Sequence, residues 1–423
     1  MRWRILAAAV ASLVLAYSAS HWLGSRTERP PQRRARPRRP AFSTLREPAR
    51  RALAAAQRQC TQRVAALVAA DARVLVDSVP TSLPALAGGE VLLSFFTHRS
   101  RVFRFVQRGR EVYELPPLRR DLVAALVAVT RDEIEHGVLG GSHQALFDKL
   151  ARAYAVLLAP AERFISRATR LSFAVNGLLR ALPLHALLRQ RDGRREFVGA
   201  RWAVSYMPCL AWRGAPRAPD RAQVVAPAYG NAGQTATMLE GAMVEVRAIA
   251  PHFADNTFRQ GTNVNAADVQ RALSDPHAVV HYLGHGLSDV DDPKSQTALV
   301  LGGGAEVGVA ELVRRGRLRA PLVVLASCDG AYAARFRDGT RRVVATNLAE
   351  ALLAAGAGAA VASSWAVKDK QSARTMRIFY RHLRALGPAA AMQRAYAHQI
   401  ARIKPPHPRF WGAYAIYGAA RWR

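Results

Sequence analysis

A thiol attacks a carbonyl as its thiolate, and near neutral pH it needs a neighbouring base to take its proton. The chain has three cysteines, Cys60, Cys209 and Cys328. An odd, scattered set makes no disulfide framework, and no CxxC or Cys/His cluster has zinc spacing, so neither metal nor cofactor is expected. Cys328 stands apart by position. It follows the apolar run Pro321-Leu322-Val323-Val324-Leu325-Ala326, and a matching run, Ala278-Val279-Val280-His281-Tyr282-Leu283, leads into Gly284-His285-Gly286. Both runs have the length and β-branched content of buried strands. In an open α/β sheet the working groups lie beyond the carboxyl ends of parallel strands. Two such strands side by side would bring His285 and Cys328 to one rim, as general base and nucleophile. The backbone amides of Gly286 and Cys328 are the expected oxyanion donors, each worth on the order of 3 kcal/mol when aimed at the developing charge. Taken singly, a cysteine after a strand is an ordinary small buried residue, and a histidine between glycines an ordinary loop residue. Their matched placement is what points to chemistry.

The elements around these runs fit the same picture. Between them lie a short strand at 298–301, a triple-glycine turn at 302–304 and a helix at 309–315, about the content of one crossover connection. Upstream, runs at 91–96, 102–106 and 112–115 predict a β-meander, and helices follow at 120–135 and 144–158. Beyond residue 170 apolar runs alternate with helical stretches. The expected fold class is α/β, a mostly parallel sheet flanked by helices with an N-terminal β-meander and helical subregion.

Longer blocks carry a resemblance. His281-Tyr282-Leu283-Gly284-His285-Gly286 and Leu325-Ala326-Ser327-Cys328-Asp329 are similar to the His-Gly and Ser-Ala-Cys-Glu blocks of the CHAT family, caspase-like peptidases of the clan of separase, clostripain and gingipain. Gly177 to Leu187, Trp202 to Pro208, Asn347 to Val367 and His407 to Tyr414 resemble further blocks of that family in the same order, so the likeness covers roughly 85–423. It implies a caspase-like sheet, His285 as general base, Cys328 as nucleophile, and hydrolysis of a peptide bond in a protein partner through an acyl-enzyme. It also implies a substrate-binding role for Trp365, with core packing as the alternative. Asp329, beside the nucleophile, is expected to orient its own loop; a substrate-binding role favouring a basic residue before the cleaved bond, as acidic pocket residues have in some relatives, is the alternative. The chain departs from the family pattern at Asp329-Gly330-Ala331, at Asn176 and at Ala366. A caspase-like scaffold without catalysis, serving as a binding module, is the competing function.

The remainder of the chain reads as a tether. Residues 1–24 place Arg2 and Arg4 before an apolar run long enough for a membrane anchor, with a cleaved signal peptide as the other reading. Residues 25–45 form an Arg/Pro-rich linker suited to anionic lipid headgroups, and 46–82 a helical segment. The 83–423 domain divides into a subregion at 83–165 and a catalytic core at 166–423. Basic residues after the apolar run favour a single-pass anchor in a bacterial inner membrane with the domain in the cytoplasm; signal cleavage would export it. Overall, 61 basic and 30 acidic residues give a net charge of +31, nearly all of it arginine. Such arginine and alanine bias also follows from GC-rich coding. The charge excludes an acidic, self-solvating chain but assigns no function by itself, and nucleic acid is not an expected partner.

Overall fold

A computed structural model describes residues 85–136, 143–207, 215–228, 242–287, 298–326 and 347–423. The expected anchor, linker and 46–82 helix lie outside the described residues, as do all three cysteines and Asp329. The chain divides into two units, Met1–Ala41 and Phe42–Arg423, and every described residue belongs to the second. Among the described residues no helix is long and apolar enough to cross a membrane.

The meander is as its alternation predicts: β1 (Glu90–His98), β2 (Arg101–Arg108) and β3 (Glu111–Arg119) pair antiparallel. Helices α1 (Arg120–His136) and α2 (His143–Leu157) follow. Then come β4 (Arg170–Val175), a small hairpin of β5 (Leu188–Arg191) and β6 (Arg194–Phe197), and β7 (Ala203–Tyr206). Next are β8 (Arg221–Pro227), α3 (Ala242–Ile249), β9 (Asp255–Gly261), α4 (Ala266–Ser274) and β10 (Ala278–Tyr282). A three-stranded arm of β11 (Gly286–Leu287), β12 (Ala298–Val300) and β13 (Glu306–Gly308) leads to α5 (Val309–Arg315) and β14 (Leu322–Leu325). The chain finishes with α6 (Leu348–Ala355), β15 (Ala359–Ser363), α7 (Asp369–Leu386), α8 (Pro388–Arg402) and β16 (Tyr414–Gly418).

Eleven strands form one sheet in the order β3-β2-β1-β4-β7-β16-β15-β14-β10-β8-β9. Seven of its pairings are parallel, and three are antiparallel. The sheet is thus two parallel blocks joined antiparallel at β15–β16, with β2 and β3 added antiparallel at the β1 edge. It runs unbroken from β1 through β4, so the subregion and core drawn at residue 165 share one layer.

Connection handedness sets the helix layers. From β8 the chain steps outward to β9 and then back across β8 to β10, so right-handed crossovers place α3 and α4 on opposite faces. The steps β10 to β14 to β15 continue inward, which keeps α5 and α6 on the face of α4. On the other face α3 packs against α7, and α7 against α8. Both α4 and α6 begin with capping boxes, Asn265 with Asp268 and Asn347 with Glu350. Glu350 also forms a buried ion pair with Arg180, whose guanidinium burial pulls down to about 10.

Candidate active site

The reversal of strand order at β8 is a topological switch point, where open sheets leave a crevice beyond their carboxyl ends. β10 lies at that point. It pairs in parallel with β14, Tyr282 standing opposite Leu325, and the pairing continues one step on as Ala326 N–H donates to Tyr282 O at 2.9 Å. His285 is the third residue past Tyr282 and is exposed at this rim. Cys328 is the third residue past Leu325 in the sequence, outside the described residues.

The turn that carries His285 is braced by backbone. Val300 N–H donates to His285 O at 3.0 Å, and the Tyr282 hydroxyl, which donates to Val300 O at 2.5 Å, lies 3.0 Å from the same His285 carbonyl. With that Val300 bond, Gly286 and Leu299 form a non-hydrogen-bonded antiparallel pair. The Gly286 amide therefore points away from β12. The arm is pinned in turn to the ends of β8 and β9: Gly302 N–H donates to Val264 O at 2.9 Å and Gly303 N–H to Ala228 O at 3.2 Å. A Cβ on Gly302 would fall 2.2 Å from Thr262 O, so only glycine permits this approach.

Trp365, two residues past the end of β15, is 5% exposed and packs in the main core. Its indole N–H donates to Arg409 O at 3.2 Å.

Sequence reasoning passed over a buried polar group on the same strand. His281 is fully buried, with Nδ1 2.8 Å from the Tyr380 hydroxyl of α7 and Nε2 3.0 Å from Glu245 Oε2 of α3. The Tyr380 hydroxyl is held well above its ordinary pKa by burial and then by the Glu245 carboxylate. The three groups satisfy one another and fix β10 against both helices, as a buried polar network must to avoid a large desolvation cost. A histidine inside an otherwise apolar strand was the available signal.

A second buried histidine locks the seam between β7 and β16. His185 Nε2 donates to Gly412 O at 2.7 Å; Nδ1 accepts from the Tyr206 hydroxyl at 2.8 Å, and the ring stacks on Tyr396. Burial, only partly offset by the Gly412 carbonyl, drops its pKa to about 4. The folded pKa thus lies below the unfolded value near 6.5, so the unfolded chain binds the extra proton between them. Stability is full above about pH 6.5 and falls as the pH drops toward 4, by roughly 3 kcal/mol for this group. Urea midpoints across that range should fall for the wild type and fall markedly less for His185→Gln. Equal slopes would contradict this assignment.

Among the described residues no group of three or more His, Cys, Asp or Glu is placed to hold a metal ion. Two cavities, of about 430 and 590 Å³, are lined from α2 and the β5–β6 hairpin, and neither includes His285.

The sequence profile of the CHAT domain matches residues 148–419. No curated protein matches the chain in sequence. Among solved structures, the Saccharomyces cerevisiae separase–securin complex aligns with TM-score 0.49 at 8% identity, covering 78% of this chain and 30% of that one. The Arg-specific cysteine proteinase gingipain R aligns with TM-score 0.39 at 12% identity, covering 71% and 75%. The Porphyromonas gingivalis RgpB pro- and mature domains give 0.40 at 11%, covering 71% and 77%. The chain thus spans under a third of the separase chain. Identity this low leaves the activities and partners of those proteins as their own.

Proposed function

The chain belongs to the CHAT domain family, and from that premise we propose that it is a cysteine endopeptidase using Cys328 and His285. The observation that supports this reading is the pairing of β10 with β14. Tyr282 stands opposite Leu325, so His285 and Cys328 each follow three residues after paired strand ends.

In the proposed reaction His285 takes the thiol proton and the Cys328 sulfur bonds to the scissile carbonyl carbon. The Gly286 and Cys328 amides hold the negative oxygen that results. Collapse breaks the C–N bond, and His285 returns its proton to the departing amine. Water, deprotonated by the same imidazole, then hydrolyses the thioester and frees the thiol. The substrate is a protein partner. Residues 1–24 would tether the enzyme to a membrane, and the Arg-rich 25–45 linker would rest against anionic headgroups.

An electrophilic peptide probe, a peptidyl chloromethyl ketone, tests the assignment directly. Incubated with the full chain and mapped by mass spectrometry, it should alkylate Cys328 far faster than Cys60 or Cys209. Labelling spread evenly over the three thiols, or absent from Cys328, would favour the non-catalytic scaffold.

A further inference from the structure

Beyond Asp369 the chain contains no aspartate or glutamate to its last residue, Arg423. The missing acids leave a mark on the surface. On α7 the basic residues Lys370, Arg374, Arg377, Arg381 and Arg384 recur at steps of four and three, and all five are exposed. That spacing puts them in one row along the helix, about 21 Å long at 1.5 Å per residue. The opposite stripe of α7 (Met376, Phe379, Tyr380 and Leu383) is buried against the protein. The cations therefore point outward.

The neighbouring helix extends the row into a face. Antiparallel α8 adds exposed Arg394 and Arg402. His398, half-buried between the two helices, has its pKa lowered by burial and then by Arg402, Arg377 and Arg381, which sets those cations close together across the pair. Arg402 bonds neutral His398 at 2.9 Å and Arg384 the His252 carbonyl at 3.4 Å. None of the seven basic residues is paired with a carboxylate among the described residues. Coding bias explains many arginines, but it does not explain a face from which acids are absent while Arg189, Arg221 and Arg315 elsewhere have carboxylate partners.

Exposed apolar residues decide what kind of polyanion fits. Five large hydrophobics are exposed among the described residues, and two of them, the consecutive Met243 at 41% and Val244 at 57%, lie on α3 of this helix layer. α3 packs directly against α7. A nucleic acid backbone offers nothing to bury such groups, and the face has no exposed aromatic ring for base stacking. An anionic bilayer accepts both kinds of group, cations at the headgroups and short apolar side chains at the acyl boundary. We propose that the α3–α7–α8 face of the folded domain docks on an anionic lipid surface. This adds to the proposed linker contact a second, structured contact that would set the orientation of the domain, and it does not depend on the peptidase reading.

Arginine footprinting on the full chain tests it without relying on a variant that folds. The protein is reconstituted into phosphatidylcholine vesicles with or without phosphatidylglycerol and treated with a phenylglyoxal reagent, and modified sites are read by mass spectrometry. In the anionic vesicles Arg374, Arg377 and Arg381 should react roughly fivefold more slowly, the factor expected for one cation near such a surface. Arg314, exposed on α5 of the opposite layer, is the control and should be unchanged. High salt should abolish the protection. Equal rates in the two lipids would overturn the proposal, as would equal protection of Arg314. Protection by duplex DNA on neutral vesicles without protection by anionic lipid would overturn it in favour of nucleic acid.

Discussion

Cys328→Ala is expected to abolish peptide cleavage, with kcat falling by a factor on the order of 10⁴ or more. The acyl-enzyme route depends on a sulfur that both attacks the carbonyl and leaves as a stable thiolate, and a methyl group can do neither. What survives the substitution is substrate binding and the amide donors, whose value without an attacking group is limited to slow reaction with water. The proper measurement is paired. Cleavage of a peptide library and covalent capture of the chloromethyl ketone should vanish together, while the circular dichroism spectrum and urea midpoint stay as in the wild type. Cys60→Ala and Cys209→Ala serve as controls and should keep the wild-type rate. Cleavage that persists in Cys328→Ala sinks the nucleophile assignment, whatever the controls do.

The second large effect is expected at the imidazole. His285→Asn should lower kcat/KM by about 10²- to 10⁴-fold, the usual contribution of a positioned general base. The side chain is exposed, and the contacts that brace its turn use the backbone carbonyl, which asparagine retains. Loss of activity should therefore come without loss of stability. The thiol gives a separate readout. In the wild type, iodoacetamide should alkylate Cys328 already below neutral pH; in His285→Asn the profile should move up toward the range of a free thiol, about 8.5. An unchanged alkylation profile would mean that the two side chains do not share a proton.

Much of the fold was legible because strands and helices announce themselves locally. The runs at 278–283 and 321–326 became β10 and β14 with at most one residue lost at an end, since a β-branched apolar run has few other stable fates. The meander and the helices after it followed from alternation and from the change of period at residue 120. His285 was legible for the same reason: glycines mark where a strand must turn, and the residue they flank stands at its end.

Pairings between distant segments were not legible. That His281 meets Glu245 and Tyr380, 36 and 99 residues away, depends on three elements arriving at one place. Trp365 shows the same limit. Its indole bond to the Arg409 carbonyl at 3.2 Å joins segments 44 residues apart, which its position past β15 does not reveal.

The sequence by itself determined which segments become strands and helices and that His285 and Cys328 each follow an apolar run at the same spacing, because those properties reside in a few consecutive side chains. Tertiary structure alone decided that β10 and β14 are neighbours at a switch point, that the Gly286 amide turns away from its arm, and that the basic residues of α7 form an outward row. Each of these depends on which surfaces are buried against one another, and burial is a property of the assembled layers.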